Sequence, residues 1–233
     1  LRNESRCFRM IRINTLRLSP NYKEDELIKK IVKELNCKKD EIVSYELFKL
    51  SIDARKKSDV HFLATVDVKL KNENAILKRT KSKKVCESKI YKYEQPICKN
   101  NSSNTVVVGA GPAGLFASLI LARSGAKVTL IERGMDIDTR TSDVDTFWNG
   151  GKLNINSNVQ FGEGGAGAFS DGKLTTGTKD KRVRKLFEEF VSHGAPKDIM
   201  YNAKPHIGTD KLKPTIKNIR EEIKALGGKV LFG

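Results

Sequence analysis

Residues 105–133, TVVVGAGPAGLFASLILARSGAKVTLIER, restrict this chain to few folds, because a β-branched run passes through a glycine turn straight into an apolar helix. Val106, Val107 and Val108 read as a strand buried on both faces. The turn Gly109-Ala110-Gly111-Pro112-Ala113-Gly114 follows at once. Gly109 permits a tight turn, Gly111 leaves the backbone open to a pyrophosphate, and Gly114 lets helix and strand pack closely. The start of such a helix offers free N–H groups and a partial positive charge to phosphates. Leu115, Leu119 and Ala122 recur at helical spacing, and Gly125 ends the helix. Val128, Leu130 and Ile131 build a second strand that stops at Glu132, with Arg133 next. An acid about 20 residues past the glycines can accept both ribose hydroxyls and repels a 2′-phosphate. The unit therefore predicts an adenine dinucleotide without a 2′-phosphate.

A second glycine-rich stretch, Phe161–Leu174 (FGEGGAGAFSDGKL), lies beyond it. Gly162, Gly164, Gly165 and Gly167 remove side chains where a bulky ligand can lie against backbone N–H groups. Ser170 and Lys173 can then supply a hydroxyl and a charge to a phosphate or a flavin ring edge. A surface loop without a ligand is the alternative on spacing alone. Two glycine-rich segments suit the extended FAD molecule better than a nicotinamide dinucleotide.

The N-terminal half reads differently. Ile11 and Ile13, then Leu16 and Leu18, each line one face of a strand over 10–18, and Ser19-Pro20-Asn21 is a turn. Leu27, Ile28, Ile31, Val32 and Leu35 form the stripe of a helix over 24–36. Segments 41–53 and 59–70 are β-rich, 74–79 suits a short helix, and a further strand falls within 85–93. This order matches a small α+β sandwich of the split βαβ, ferredoxin-like type. The expected organisation is an upstream extension over 1–9, an α+β domain over 10–95, a polar linker over 96–104, and a Rossmann-like α/β domain over 105–233. The strand beginning at Lys229 has no continuation, so that domain is expected to be incomplete at its C-terminus.

Further along, Val183, Leu186, Phe187 and Phe190 mark one helix, stopped by Gly194. Leu212, Ile216, Ile219, Ile223 and Leu226 mark another, with Thr209 or Asp210 as its N-cap. His193 reads as a helix-end charge and His206 as a loop histidine. Neither has a Ser, Cys or metal-ligand partner at a known spacing, so hydrolase and metal chemistry find no support.

The formal charge of +16 is uneven: residues 1–104 hold 25 Lys and Arg against 14 Asp and Glu, the rest 19 against 14. Only Tyr91 and Tyr93 accompany the basic run 78–92, too few aromatics for a nucleic-acid surface. Cys7, Cys37, Cys86 and Cys98 show no C-x-x-C, which fits reduced thiols in the cytoplasm and no metal site. No apolar run nears the roughly 20 residues of a membrane span, and the first residues lack a signal-peptide pattern.

The GAGPAGLFASLILARSG and VTLIERG segments, Arg140, Asp143-Val144, Phe147-Trp148, NVQFGEGGAGAFSDGKLTT and KPHIGTD occur in an order that resembles the bacterial family of uncharacterised FAD-dependent dehydrogenases. The similarity runs from about Met10 to Gly233 and includes SIDARKK at 51–57. The resemblance implies FAD bound in extended form. Gly109, Gly111, Pro112, Ala113, Gly114, Glu132 and Arg133 then hold the ADP half, and Gly164, Gly165, Ser170 and Lys173 lie near the flavin. It also implies that this chain is an N-terminal part of a longer protein. The expected function is an FAD-dependent oxidoreductase acting on a small molecule, with NAD(P)H a candidate electron donor. The alternative is an FAD- or NAD-binding module without turnover. Substrate, catalytic residues and oligomeric state are not written in the sequence.

Overall fold

The computed structural model describes residues 10–88, 91–99, 104–174, 177–178 and 180–233. The expected extension over 1–9 and residues 100–103 of the expected linker lie outside them. The chain divides into two compact units, one comprising residues 1–92 with Met200–Lys204, the other Tyr93–Ile199 with Pro205–Gly233.

In the first unit, strand β1 (Met10–Leu18) leads into helix α1 (Glu24–Leu35), then strands β2 (Ile42–Asp53) and β3 (His61–Leu70), helix α2 (Glu73–Arg79) and strand β4 (Val85–Ser88). The sheet order is β2-β3-β1-β4, antiparallel throughout. Ile11 and Ile13 have opposite parity to Leu16 and Leu18, yet all four are buried in one core. A bulge reconciles them. The β1–β3 register shifts between Ile13 and Leu16, and Thr15 takes a left-handed φ of 55°. Leu27, Ile31 and Leu35 of α1 and Ile76 of α2 close the same core, so both helices lie on one sheet face. Asn72 caps α2 through its side chain, which accepts the Ala75 N–H at 3.1 Å. On the outer edge of β2, the Leu50 N–H donates to Tyr201 O (2.7 Å) and the Ala203 N–H to Leu50 O (2.9 Å). Residues 200–204 thus add a short parallel pairing that the sequence pattern did not indicate.

The second unit holds a three-stranded parallel sheet, β5 (Asn104–Val108), β6 (Lys127–Glu132) and β7 (Lys229–Phe232), in that order. Its helices are α3 (Pro112–Arg123), α4 (Ile137–Trp148), α5 (Arg182–Ser192) and α6 (Thr209–Ala225). Leu115 and Leu119 of α3 and Ile216, Ile219 and Ile223 of α6 bury one sheet face around Val128 and Leu130. The opposite face differs from the sequence expectation. Val106 and Val108 are 56% and 80% exposed, so β5 is not buried on both faces. Among the described residues β5 is an edge strand of this sheet, and α3 and α6 pack on the face opposite Val106 and Val108.

Helix ends follow local chemistry. Gly125 and Gly194 take positive φ just past α3 and α5, where an L side chain is strained. The N-cap of α6 is Gly208 and not Thr209 or Asp210, which fall inside the helix's first turn. Leu226 falls at the C-cap of α6 and is exposed, so the buried stripe ends at Ile223. His193, at the C-cap of α5, is buried between the Glu189 carbonyl (2.6 Å) and the Glu222 carboxylate (2.8 Å).

Candidate functional site

The glycine turn joins β5 to α3 with the tightness its residues allow. Gly109 takes φ +95° and donates its N–H to Ile131 O at 2.7 Å. A Cβ on Gly114 would lie 1.8 Å from the carbonyl oxygen of Gly109, so only glycine lets the helix approach this closely. Around Gly111 the situation reverses: a Cβ there would meet nothing within 4 Å, and the backbone faces open space. Gly111 is the N-cap of α3, Pro112 occupies the first turn and no side chain caps it. The N–H groups of Ala113 and Gly114 therefore have no intrahelical acceptor and carry the positive end of the helix dipole.

Glu132 ends β6 beside this turn. Its Oε2 accepts the Ala110 N–H at 2.6 Å and its Oε1 accepts the Gly134 N–H at 2.8 Å. Each oxygen keeps a lone pair for a hydroxyl. The neighbouring Arg133 turns away, with its guanidinium 4.0 Å from the centre of the Phe161 ring.

The second glycine segment lies on the first. Gly164 donates its N–H to Ala110 O at 2.8 Å, and a Cβ on Gly165 would sit 3.4 Å from Pro112 Cδ and 3.8 Å from Gly111 Cα. Gly162, Glu163 and Gly164 are buried, which an unanchored surface loop would not be. Ser170 and Lys173 stand at its exposed end. Ser170 Oγ donates to Gly167 O (3.0 Å), and the Lys173 ammonium pairs with Asp171 (2.7 Å), a partner the sequence reading overlooked. His206 is exposed and lies opposite Lys173 across an antiparallel bridge.

Two buried charges that sequence reasoning did not place hold this segment. Arg140, on α4, is fully buried. Its Nε donates to Asn158 O (2.8 Å), its Nη2 to Val159 O (3.0 Å), and its Nη1 to the carbonyls of Glu163 (2.7 Å) and Gly165 (2.9 Å). Burial lowers its pKa to about 10 against the pull of Glu132 and Glu163, so the guanidinium stays charged at neutral pH. Glu163 is equally buried. Its Oε2 accepts the Ile137 N–H and the Arg220 Nη1, each at 2.7 Å, while Oε1 has no hydrogen-bond partner among the described residues. Burial outweighs both contacts and raises its pKa to about 7. The one local signal for α4 is Asp136, whose side chain accepts the N–H groups of Asp138 and Thr139 as an N-cap, ahead of Ile137, Arg140 and Val144 at helical spacing.

The arrangement places a carboxylate at Glu132, an uncapped helix start at Gly111–Gly114 and a side-chain-free shelf at Gly164–Gly165 beside one another. Among the described residues no three His, Cys, Asp or Glu side chains converge as a metal site.

Comparisons with known proteins agree with this geometry. Residues 102–142 match the FAD binding domain family, and residues 10–69 match a domain of unknown function, DUF8436. An uncharacterized protein of Clostridium beijerinckii is 50% identical over 224 residues, which cover 95% of this chain and 42% of that protein. The 6-methylpretetramide 4-monooxygenase of Streptomyces rimosus is 44% identical over 46 residues, 20% of this chain and 11% of that enzyme. The digeranylgeranylglycerophospholipid reductase of Methanocaldococcus jannaschii is 31% identical over 107 residues, 42% of this chain and 27% of that enzyme. The chain thus spans about two fifths of the length of its C. beijerinckii relative. The βαβ unit built on Gly109–Gly114 falls within the FAD binding domain match, and with the two redox enzymes among the relatives it supports a flavoprotein.

Proposed function

We propose that this chain is the FAD-holding part of an oxidoreductase of the dehydrogenase kind. The observation that carries the reading is the docking of Gly164 and Gly165 on the Ala110–Pro112 turn, with Glu132 bonded to the same turn. In this reading Glu132 accepts the ribose hydroxyls, Gly109, Gly111, Pro112, Ala113 and Gly114 receive the pyrophosphate, and Arg133 borders the ADP half. Gly164 and Gly165 flank the ribityl-flavin portion, with Ser170 and Lys173 beyond it. When bound, FAD supplies the electron transfer, and the protein's part is to bind, orient and exclude water. NAD(P)H is the proposed electron donor. The order β2-β3-β1-β4 with two helices on one face supports a ferredoxin-like reading of the first unit. The cytoplasm is the proposed location, since Cys37, Cys86 and Cys98 form no disulfide among the described residues.

Titration of FAD into the purified chain tests the reading. Saturable quenching of flavin fluorescence at one site per chain is expected, with NAD a weaker competitor. A chain that binds NAD more tightly than FAD, or neither, overturns it. A dinucleotide-binding module without turnover is the second reading. Bleaching of bound flavin by NADH or NADPH without oxygen separates the two.

A further inference from the structure

A cavity of about 170 Å³ lies in the second unit, directly beneath the second glycine segment. Its floor is the buried side chains of Leu115, Leu212, Ile216 and Ile219. Phe116 and Phe190 form one wall, edge to face with centroids 5.0 Å apart and planes at 87°. Gly167, Ser170 and Lys173 stand at the exposed rim. Among the described residues the only polar side chains on the lining are Ser170 and Lys173, and both already have partners, Gly167 O and Asp171. No described side chain on the lining is left in need of a hydrogen bond from water. Apolar cavities of roughly 150 Å³ lined by Leu, Ile and Phe stay dry and admit benzene.

We propose that this cavity is a binding site for a neutral, single-ring aromatic molecule. Size sets the ring count, and the apolar lining excludes a charged substituent, which would lose its hydration without gaining a partner. The Phe116–Phe190 pair presents ring faces and edges to the guest, the geometry that favours aromatic contacts. Pro112 of the dinucleotide turn and Gly164, whose N–H bonds to Ala110 O of that turn, both line this cavity, so the guest lies next to the proposed flavin site. Binding stands on the cavity alone; the assignment of this molecule as the oxidoreductase's substrate class rests on the FAD reading above.

Toluene and benzoate are the probes, titrated calorimetrically into the 233-residue chain without flavin. Toluene is expected to bind saturably and to raise the melting temperature, and benzoate to bind at least about tenfold more weakly. Gly167→Leu adds bulk at the rim, where a Cβ meets nothing within 4 Å, so folding is retained and toluene affinity falls about tenfold or more. Gly167→Ala is the folded comparison. Absence of saturable toluene binding, equal binding of benzoate, or an unchanged affinity in a folded Gly167→Leu chain overturns the proposal. Displacement of toluene by FAD, one for one, also overturns it and gives the cavity to the flavin. Failure of FAD to bind would leave the toluene result untouched, so the two readings fail separately.

Discussion

The carboxylate of Glu132 accepts the backbone N–H of Ala110 at 2.6 Å, which ties the acid that ends one strand to the glycine turn that ends its neighbour. Glu132 is therefore positioned by the backbone itself, without a ligand. Glu132→Ala removes the hydroxyl acceptor and loosens the turn. FAD affinity should drop about 10- to 100-fold, on the order of one hydrogen bond to a charged group. Glu132→Gln retains one acceptor oxygen and should fall between. Flavin fluorescence titration measures both, and an unchanged affinity in Glu132→Ala would refute the ribose assignment.

Gly111 and Gly114 should respond in opposite ways to the same added methyl. At Gly114 the Cβ would overlap the Gly109 carbonyl, so Gly114→Ala should cost about 2–4 kcal/mol of stability. At Gly111 nothing lies within 4 Å. Gly111→Ala should fold normally and, if the proposed site is right, weaken FAD binding by filling that open space. Urea unfolding midpoints set beside FAD titrations separate the two effects.

Arg140 satisfies four backbone carbonyls, one buried and three partly buried, with one guanidinium, a task no other side chain can perform. Arg140→Met should cost at least about 3 kcal/mol by leaving those oxygens unpaired. Arg140→Lys should recover only part of this. Thermal unfolding gives the energies, and limited proteolysis should show new cleavage within 150–165.

Glu163 makes stability depend on pH. Its folded pKa, about 7, lies above the ordinary 4.5, so the native state holds the proton more tightly than the unfolded chain does. The stabilisation is full below pH 4.5 and is lost as pH rises through 7. Its size is at most on the order of 3 kcal/mol. Glu163→Gln should flatten the fall in melting temperature between pH 5 and 8; an equally steep fall in the variant would place the titration elsewhere.

What the sequence made legible is what short-range periodicity encodes. The stripe Leu27, Ile31, Leu35 and the glycine pattern 109–114 each report neighbours within a few residues, and the structure has α1 and the β5–α3 turn there. Burial of β5 was misread because Val106 and Val108 carry no record of whether a helix covers their face. Helix α4 is hard to read from sequence because a buried arginine, Arg140, stands between the two buried apolar residues Ile137 and Val144 of its inner side. The partners of Arg140 and Glu163 lie 18 to 57 residues away, a separation on which sequence spacing is silent. The same limit hid Asp171 as the partner of Lys173: the sequence shows the two charges but not which way either points.

The short pairing of residues 200–204 on Leu50 has a consequence for how the chain comes apart. The backbone passes from one unit to the other after Lys92, returns at Met200 and leaves again after Lys204, three covalent crossings in all. A single proteolytic cut near residue 93 would therefore not release two independent fragments, because the C-terminal piece would still carry a segment hydrogen-bonded to Leu50. Expressing residues 1–92 alone would instead leave that stretch of β2 as an open edge. The natural experimental unit is the uninterrupted chain, and a clean excision of the first unit requires residues 200–204 to be supplied with it.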